Sequence, residues 1–330
     1  MKKIFGPGCL LLILVLPGLT RVSTTPRCEI SNGLIKARLW LPDKVNGYYR
    51  GVRFDWSSVI SSLTFKEHSY FSKWFEEYDP TLHDAITGPV EEFTPLDYDE
   101  LQPGQTFIKI GVGALLKPGH GKYKFSQNYS MMNSGDWSVK KKKDEVKFRH
   151  VLNDSSGYSY DYAKTVRLTA EKPELVLEHI LKNTGRKTIE TSVYNHNFFV
   201  IDDEPSAPSI QIKFPFAVAA NGRGWGTLAR VDSNRIIYIR KLSKGESVYS
   251  AGLEGFGKSP EHYDIKIENL KTGAGVRIRS DSSLEKLVFW SSSTTYCPEP
   301  YIKLSIEPGQ AVTWKIFYEF YTFPPLKTGK

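Results

Sequence analysis

Ser192-Val-Tyr-Asn-His-Asn-Phe-Phe-Val-Ile-Asp202 is the stretch from which the fold and the function of this chain can be argued. It is apolar and aromatic enough for a strand, but Asn195, His196 and Asn197 interrupt its middle. A histidine between two amides has partners for its ring nitrogens, and the phenylalanines that follow supply an apolar wall that shifts its pKa. His196 is therefore either a residue that moves protons near neutral pH or a core histidine satisfied by Asn195 or Asn197, and the residues alone favour neither.

The residues before this stretch predict a β-hairpin. Apolar and polar residues alternate over 174–182, the Asn-Thr-Gly-Arg sequence at 183–186 forms a turn, and alternation resumes over 188–194. We expect this hairpin to bring His196 to the surface of a sheet.

Short alternating segments of the same kind recur along the chain, separated by Gly, Asn and Pro turns and without a helical period. They cover residues 59–65, 108–112, 145–152, 160–168, 210–218, 236–239, 263–267, 276–279 and 287–290. The pattern predicts an all-β protein, a single large antiparallel β-sandwich domain over residues 24–330. All-β domains often reach this size, so 330 residues do not require a second domain.

The first 23 residues have a basic tip, a short apolar run and then small or polar residues, which predicts a cleaved signal peptide. We expect an exported protein, periplasmic or secreted. No later segment approaches the roughly twenty apolar residues of a membrane-spanning helix, so no membrane span is expected.

Charge and cysteine content exclude several classes of partner and cofactor. Loss of Lys2, Lys3 and Arg21 lowers the formal charge from +8 to +5, which is modest for the length and argues against nucleic acid binding. Only Cys28 and Cys297 remain after the leader, too few for a cysteine zinc site. In an exported chain we expect these two cysteines to lie close enough to pair.

Residues 67–103 lose all periodicity, and this predicts a long loop that covers a cleft. His83 is its main candidate cleft residue, with Glu91 and Glu92 as weaker ones. Upstream, Arg53 has two readings: it could fork to two hydroxyls of a ligand, or it could form a surface ion pair with Asp55.

Two further candidates lie in the second half of the chain. Glu299 is held between Pro298 and Pro300, which fix the backbone around it; alone, it would more often be an exposed turn residue. Trp225 lies in a glycine loop over 221–226 that lacks the strand-then-helix context of a phosphate-binding loop.

The predicted hairpin, its turn and the Asn195-His-Asn-Phe-Phe199 sequence resemble the aldose 1-epimerase (galactose mutarotase) superfamily, whose matching motif is Asn-His-x-x-Phe. In that family a carboxyl-terminal Glu precedes a Pro-Gly turn and a final strand ending in Tyr-x-Phe, as Glu299 and the Tyr318-Glu-Phe320 sequence do here. The resemblance implies that His196 is the acid and Glu299 the base of sugar ring opening, without a metal or organic cofactor.

The resemblance also leaves specific residues open. The family's glycine-arginine-asparagine segment and its second histidine have no clear counterpart, so Arg53 and His83 would have to replace them. Arg53, His83, Asn195 and Trp225 are the candidates for binding the sugar.

Three functions remain open: an isomerase acting on a free sugar, a lyase or hydrolase acting on a polysaccharide, and a noncatalytic carbohydrate-binding protein. Each takes a sugar or oligosaccharide as its partner, and none fixes the oligomeric state. The distance between His196 and Glu299 distinguishes chemistry from mere binding, because both must reach one sugar ring.

Overall fold

The computed structural model describes Met1 and residues 24–326. The signal peptide predicted for residues 1–23 lies, apart from Met1, outside the described residues. Within them, the chain forms twenty-two strands and three 3₁₀ helices of three residues each, and every pairing between these strands is antiparallel. The prediction of an all-β antiparallel fold is confirmed.

The strands, in chain order, are β1 Arg27–Ser31, β2 Ile35–Trp40, β3 Val59–Phe65, β4 His68–Phe71, β5 Gly88–Phe93, β6 Thr106–Lys109, β7 Gly113–Leu116, β8 Met131–Asn133, β9 Asp136–Lys141, β10 Glu145–Asn153, β11 Ser159–Leu168, β12 Glu174–Asn183, β13 Ile189–Phe198, β14 Ile210–Lys213, β15 Ala229–Asp232, β16 Arg235–Tyr238, β17 Val248–Ser250, β18 Asp264–Asn269, β19 Ala274–Ser280, β20 Lys286–Ser291, β21 Tyr296–Ile306 and β22 Ala311–Thr322. The 3₁₀ helices are Tyr98–Glu100, Ile201–Asp203 and Pro260–His262. No helix in the described part of the chain is long and apolar enough to cross a membrane.

Two sheets form the sandwich. The larger has ten strands in the order β15-β16-β14-β18-β19-β22-β12-β11-β10-β9, and the smaller has five in the order β17-β20-β21-β13-β5. A four-stranded sheet of β1 to β4 and a three-stranded sheet of β6 to β8 complete the described structure. Alternate residues of β11 are buried, as expected of a strand with one face on the core. The main core takes side chains from both large sheets, among them Leu177 and Val193.

The predicted hairpin over residues 174–194 is wrong. Strand β12 pairs with β11 and β22 in the large sheet, whereas β13 pairs with β21 and β5 in the small one. The turn carries the chain across the core, and the Asn183 amide fixes it by donating to the carbonyls of Lys187 and Ile306, each at 2.8 Å. Alternation shows that a strand has one buried face but not which strand pairs with it. Because β13 belongs to the small sheet, His196 lies there and not in the sheet of β12.

The long loop predicted for residues 67–103 is also wrong, because this segment contains β4, β5 and the first 3₁₀ helix. All six residues of β5 are buried, polar and apolar alike. A strand buried on both faces shows no alternation, so periodicity could not reveal it.

The pairing predicted for Cys28 and Cys297 is wrong as well, because both are free thiols. Cys28 lies on β1 and packs against the main core. Cys297 lies on β21 and packs in a separate aromatic cluster with Phe54 and Phe198. The two cysteines belong to different sheets, which sequence spacing could not show.

Candidate active site

A cavity of about 280 Å³ lies on the face of the small sheet that points away from the ten-stranded sheet. Its volume is close to the lower end of small-molecule pockets, about 300 Å³. Side chains two positions apart on a strand share a face, which is how four neighbouring strands supply most of the lining. The strand residues are Tyr194 and His196 on β13, Glu299 and Tyr301 on β21, Lys286, Val288 and Trp290 on β20, and Tyr249 on β17. Arg53, Asp84 and Phe125 complete the lining from connecting segments.

His196 and Glu299 meet on the floor of this cavity. Nε2 of His196 lies 3.3 Å from Oε1 of Glu299, and both side chains are buried. The imidazole stacks on Phe198 with ring centroids 3.8 Å apart, and the Trp290 ring meets it edge-on at 5.7 Å. These aromatic contacts hold the imidazole in one orientation toward Glu299.

Neither amide beside His196 satisfies it, which removes the reading of a core histidine bonded to Asn195 or Asn197. The Asn195 amide donates to Glu91 at 2.8 Å, and the Asn197 amide donates to the carbonyl of Pro298 at 2.9 Å. Nδ1 of His196 is buried and has no hydrogen-bond partner among the described residues. A buried polar atom without a protein partner is unusual, and here it belongs to the imidazole that lines the cavity.

Burial shifts the pKa values of the pair in opposite directions. It lowers the pKa of His196 well below its usual range, with a further contribution from the nearby Arg53 charge. It raises the pKa of Glu299 to about 8. Near neutral pH the uncharged forms of both groups are therefore favoured. The pair then holds one titratable proton, which is on the Glu299 carboxyl, while the imidazole is neutral. A proton donor and a proton acceptor are thus in contact in the same cavity.

Glu299 is not the exposed turn residue that its two prolines suggested. It lies inside β21, opposite Val288 of β20, and only 5% of its surface is exposed. The flanking prolines are buried with it in the strand.

Arg53 forms the polar wall of the cavity and does not pair with Asp55. Its Nε donates to Glu92 at 2.8 Å, its Nη2 donates to the Tyr194 hydroxyl at 3.0 Å, and its Nη1 contacts Asp84. Burial would raise the pKa values of both carboxyls, but nearby cations outweigh it. Lys109 and Arg53 lower the pKa of Glu92 to about 2. Mainly Arg53 lowers the pKa of Asp84, also to about 2. Arg53 thus organises this wall of the cavity.

The remaining candidates lie outside the lining. His83 is behind Asp84, with Nε2 3.1 Å from its Oδ2, and lines a neighbouring cavity of about 210 Å³. Asn195 points toward the core, where it bonds to Glu91. Trp225 donates to the Tyr249 carbonyl at 3.1 Å and packs near Phe289. The structure therefore brings together His196, Glu299 and Arg53 in the cavity. His83 lies behind a lining residue, Asp84, and Asn195 and Trp225 do not line the cavity.

Several lining residues were not found from the sequence. Tyr194 and Tyr301 lie two positions from His196 and Glu299, so strand alternation would have placed each pair on one face. Asp84 and Phe125 come from segments without periodicity, and nothing in the sequence marks them. Phe125 is 47% exposed, and its ring lies 4.1 Å from the Arg53 guanidinium. It gives the cavity a solvent-facing aromatic wall.

We expect the free energy of unfolding to fall as pH rises between about 6.5 and 8, by at most about 1.4 kcal/mol per pH unit. A carboxyl whose folded pKa is raised stabilises the protein fully below its unfolded value, and this contribution is lost as pH approaches about 8. His196 acts oppositely: its lowered pKa costs stability as pH falls below about 6.5, so the window above that value reports Glu299.

Urea unfolding across this pH range measures the effect, and Glu299→Gln should remove the slope. Parallel pH profiles for the variant and the wild type would show that Glu299 is already ionised at pH 7.

The described residues contain no group of three or more His, Cys, Asp or Glu side chains arranged to hold a metal ion. No protein-family model and no curated protein matches the sequence.

Solved structures do match the fold. A galactose mutarotase related enzyme from Lactobacillus acidophilus superimposes with a TM-score of 0.55 at 14% identity, over 91% of this chain and 99% of that one. A galactose mutarotase-like protein from Clostridium acetobutylicum gives 0.54 at 11% identity, over 90% and 95%. The GalM/aldose epimerase homologue from C. elegans gives 0.50 at 12% identity, over 91% and 100%. The chain therefore has the galactose mutarotase-like β-sandwich fold.

Proposed function

We propose that this protein is a carbohydrate isomerase that interconverts the anomers of a sugar by opening and closing its ring. The observation that supports this most strongly is the His196–Glu299 pair, with Nε2 3.3 Å from Oε1 on the floor of a cavity. Both groups can reach one ring, as acid and base chemistry requires and as mere binding does not.

Ring opening of a cyclic hemiacetal moves two protons. One group takes the proton of the anomeric hydroxyl and another gives a proton to the ring oxygen, and the roles reverse on closure. In the free protein the pKa directions favour Glu299 as the donor and His196 as the acceptor. This is the reverse of the roles that the resemblance implies. Because anomer exchange runs in both directions, each group must perform both roles during a full cycle.

The walls of the cavity suit a neutral sugar. Arg53 already forms ion pairs with Glu92 and Asp84 and donates a hydrogen bond to the Tyr194 hydroxyl, so its charge is balanced within the protein. The aromatic rings of Trp290, Tyr301 and Phe125 offer apolar surface to the C–H faces of a sugar. A uronic acid would instead meet a carboxyl floor and a neutralised arginine. The other cation of the lining, Lys286, is exposed, and water and salt screen its charge.

The test is anomer exchange measured by NMR magnetisation transfer on a panel of neutral aldoses, with galacturonic and glucuronic acids included. We expect at least one neutral aldose to exchange faster with the protein than without it. A protein that binds a sugar by titration but accelerates no exchange would instead be a noncatalytic binding protein. Cleavage of an oligosaccharide without anomer exchange would support a lyase or hydrolase.

We also propose that the protein acts outside the cytoplasm, since residues 1–23 have the pattern of a signal peptide. Mass spectrometry of the protein isolated from its native cell should give an amino terminus between residues 21 and 27. Recovery of the chain with Met1 intact from the soluble fraction would contradict export.

A further inference from the structure

A charged cluster lies in the core, on the face of the small sheet opposite the cavity. Lys164 reaches into it from β11 of the large sheet, and Glu91 from β5 of the small one. Asp55 is the third member, and all three side chains are completely buried. Nζ of Lys164 is in direct contact with Oε2 of Glu91 and lies 3.4 Å from Oδ2 of Asp55. An amine, a carboxyl and a second carboxylate therefore meet in a site closed to solvent.

We propose that Lys164 and Glu91 condense into an intramolecular amide that joins the two sheets of the sandwich. The geometry assigns three roles: Lys164 is the nucleophile, Glu91 is the carboxyl that reacts, and Asp55 is the proton relay. No part of this proposal depends on the sugar chemistry on the opposite face of the sheet.

Burial favours the reaction over the ion pair. Two charges without solvent cost several kcal/mol each unless their mutual attraction repays it, whereas an amide carries no charge. Asp55 then remains as the one charge of the three, and it keeps the hydrogen bonds that the Ser57 backbone N–H and hydroxyl donate to it. Burial lowers the pKa of Lys164 to about 8, which brings the neutral, nucleophilic amine within reach at physiological pH. Fixed contact between the reacting groups replaces a bimolecular encounter, with effective concentrations that reach about 10⁵ M or more in oriented systems.

The Glu91 carboxyl is held so that one oxygen is fixed and the other faces the amine. Nδ2 of Asn195 donates to Oε1 at 2.8 Å, and Nε2 of His179 lies 3.0 Å from the same oxygen. Oε1 is thus placed to stay as the amide oxygen, where the Asn195 amide, which donates to it, stabilises the negative charge that develops. Oε2, in contact with Lys164, is placed to leave.

The step balances without an oxidant, a reductant or a co-reactant. Proton transfer within the ion pair gives a neutral amine and a neutral carboxylic acid. The Nζ lone pair then forms a bond to Cδ of Glu91, the bond from Cδ to Oε2 breaks, and one proton passes from Nζ through the Asp55 carboxylate to the departing hydroxyl. The products are one amide and one water molecule. Asp55 is held for this role by the Ser57 hydroxyl, which donates to its Oδ2 at 2.6 Å.

The neighbouring pair of Lys109 and Glu92 provides an internal comparison. Lys109 is also completely buried, and its Nζ donates to Oε1 of Glu92 at 2.7 Å. Glu92, however, is shared with Arg53 and Tyr194, and the second partner of Lys109 is the Tyr123 hydroxyl, 2.8 Å from Nζ, in place of a carboxylate. This pair lacks a relay like Asp55 and is expected to remain an ion pair.

Intact mass spectrometry of the purified, denatured full chain tests the proposal directly. The wild type should weigh less than its sequence, after amino-terminal processing, by one water molecule. Tandem spectra of a tryptic digest should join the peptide of Glu91 to the peptide of Lys164, with no cleavage after Lys164. A wild-type chain of full calculated mass, or a mass deficit carried by other residues, overturns the proposal.

Several variants assign the roles, so that misfolding of any one of them leaves the proposal testable. Lys164→Arg should restore the full calculated mass, and the matched control Lys109→Arg should keep the deficit. Asp55→Asn should give a mixture of linked and unlinked chains, with the linked fraction growing slowly during incubation. A deficit that persists in Lys164→Arg overturns the assignment of the nucleophile, and complete linkage in freshly purified Asp55→Asn overturns that of the relay.

Discussion

His196→Ala and Glu299→Gln should each slow the catalysed exchange of sugar anomers by about a hundred- to ten-thousand-fold, while the sugar still binds. That range is what a positioned acid or base contributes to a proton transfer. Glu299→Gln keeps the shape of the carboxyl and removes its proton chemistry, whereas His196→Ala removes the whole imidazole and leaves Glu299 in place. Because Nε2 of His196 contacts Oε1 of Glu299, the double variant should lose little more than either single one.

NMR magnetisation transfer measures the rate and a sugar titration measures the binding, both on the aldose that the wild type accelerates. His120→Ala and Glu261→Gln are matched controls, because both residues are exposed and neither lines the cavity. Both controls should retain wild-type rates. Unchanged rates in His196→Ala and Glu299→Gln would remove the acid and base assignment and favour the noncatalytic reading.

Much of the fold could be predicted from short-range patterns, because most strands have one buried face. Strand β11 alternates partly buried and fully buried positions over ten residues, and its limits were predicted to within one residue. Strand β5 could not be found in this way, since all of its six residues are buried. Partner choice was equally inaccessible: the turn after β12 looks the same whether the chain folds back or crosses the core.

Site residues, like strands, could be predicted only where the local sequence marks them. His196 and Glu299 could be proposed because each has an unusual local sequence, and the sheet then brings them together through β13 and β21. Asn195 was misplaced because a strand sends neighbouring side chains to opposite faces. Asp84 and Phe125 reach the cavity through loops, whose paths are fixed by long-range packing.

The second large effect is expected for Arg53→Met, which should lower the free energy of unfolding at pH 7 by about 3–5 kcal/mol. The substitution leaves two carboxylates in the cavity wall without their shared guanidinium, and Glu92 is only 6% exposed. If Arg53 served only to bind sugar, the variant would instead be as stable as the wild type and would show only a weaker affinity.

The deficit of Arg53→Met should also depend on pH in a defined direction. The pKa values of Asp84 and Glu92 are lowered to about 2, so the stability that they gain from Arg53 is present above their unfolded values, near 4, and is lost as pH falls toward 2. Urea unfolding at pH 7 and near pH 3 should therefore show a smaller difference from the wild type in acid. The control is Arg149→Met, whose exposed ion pair with Asp161 should contribute little to stability at either pH, because solvent screens it. Equal losses in the two variants would mean that burial adds nothing to the Arg53 network, and its role would then be confined to the ligand.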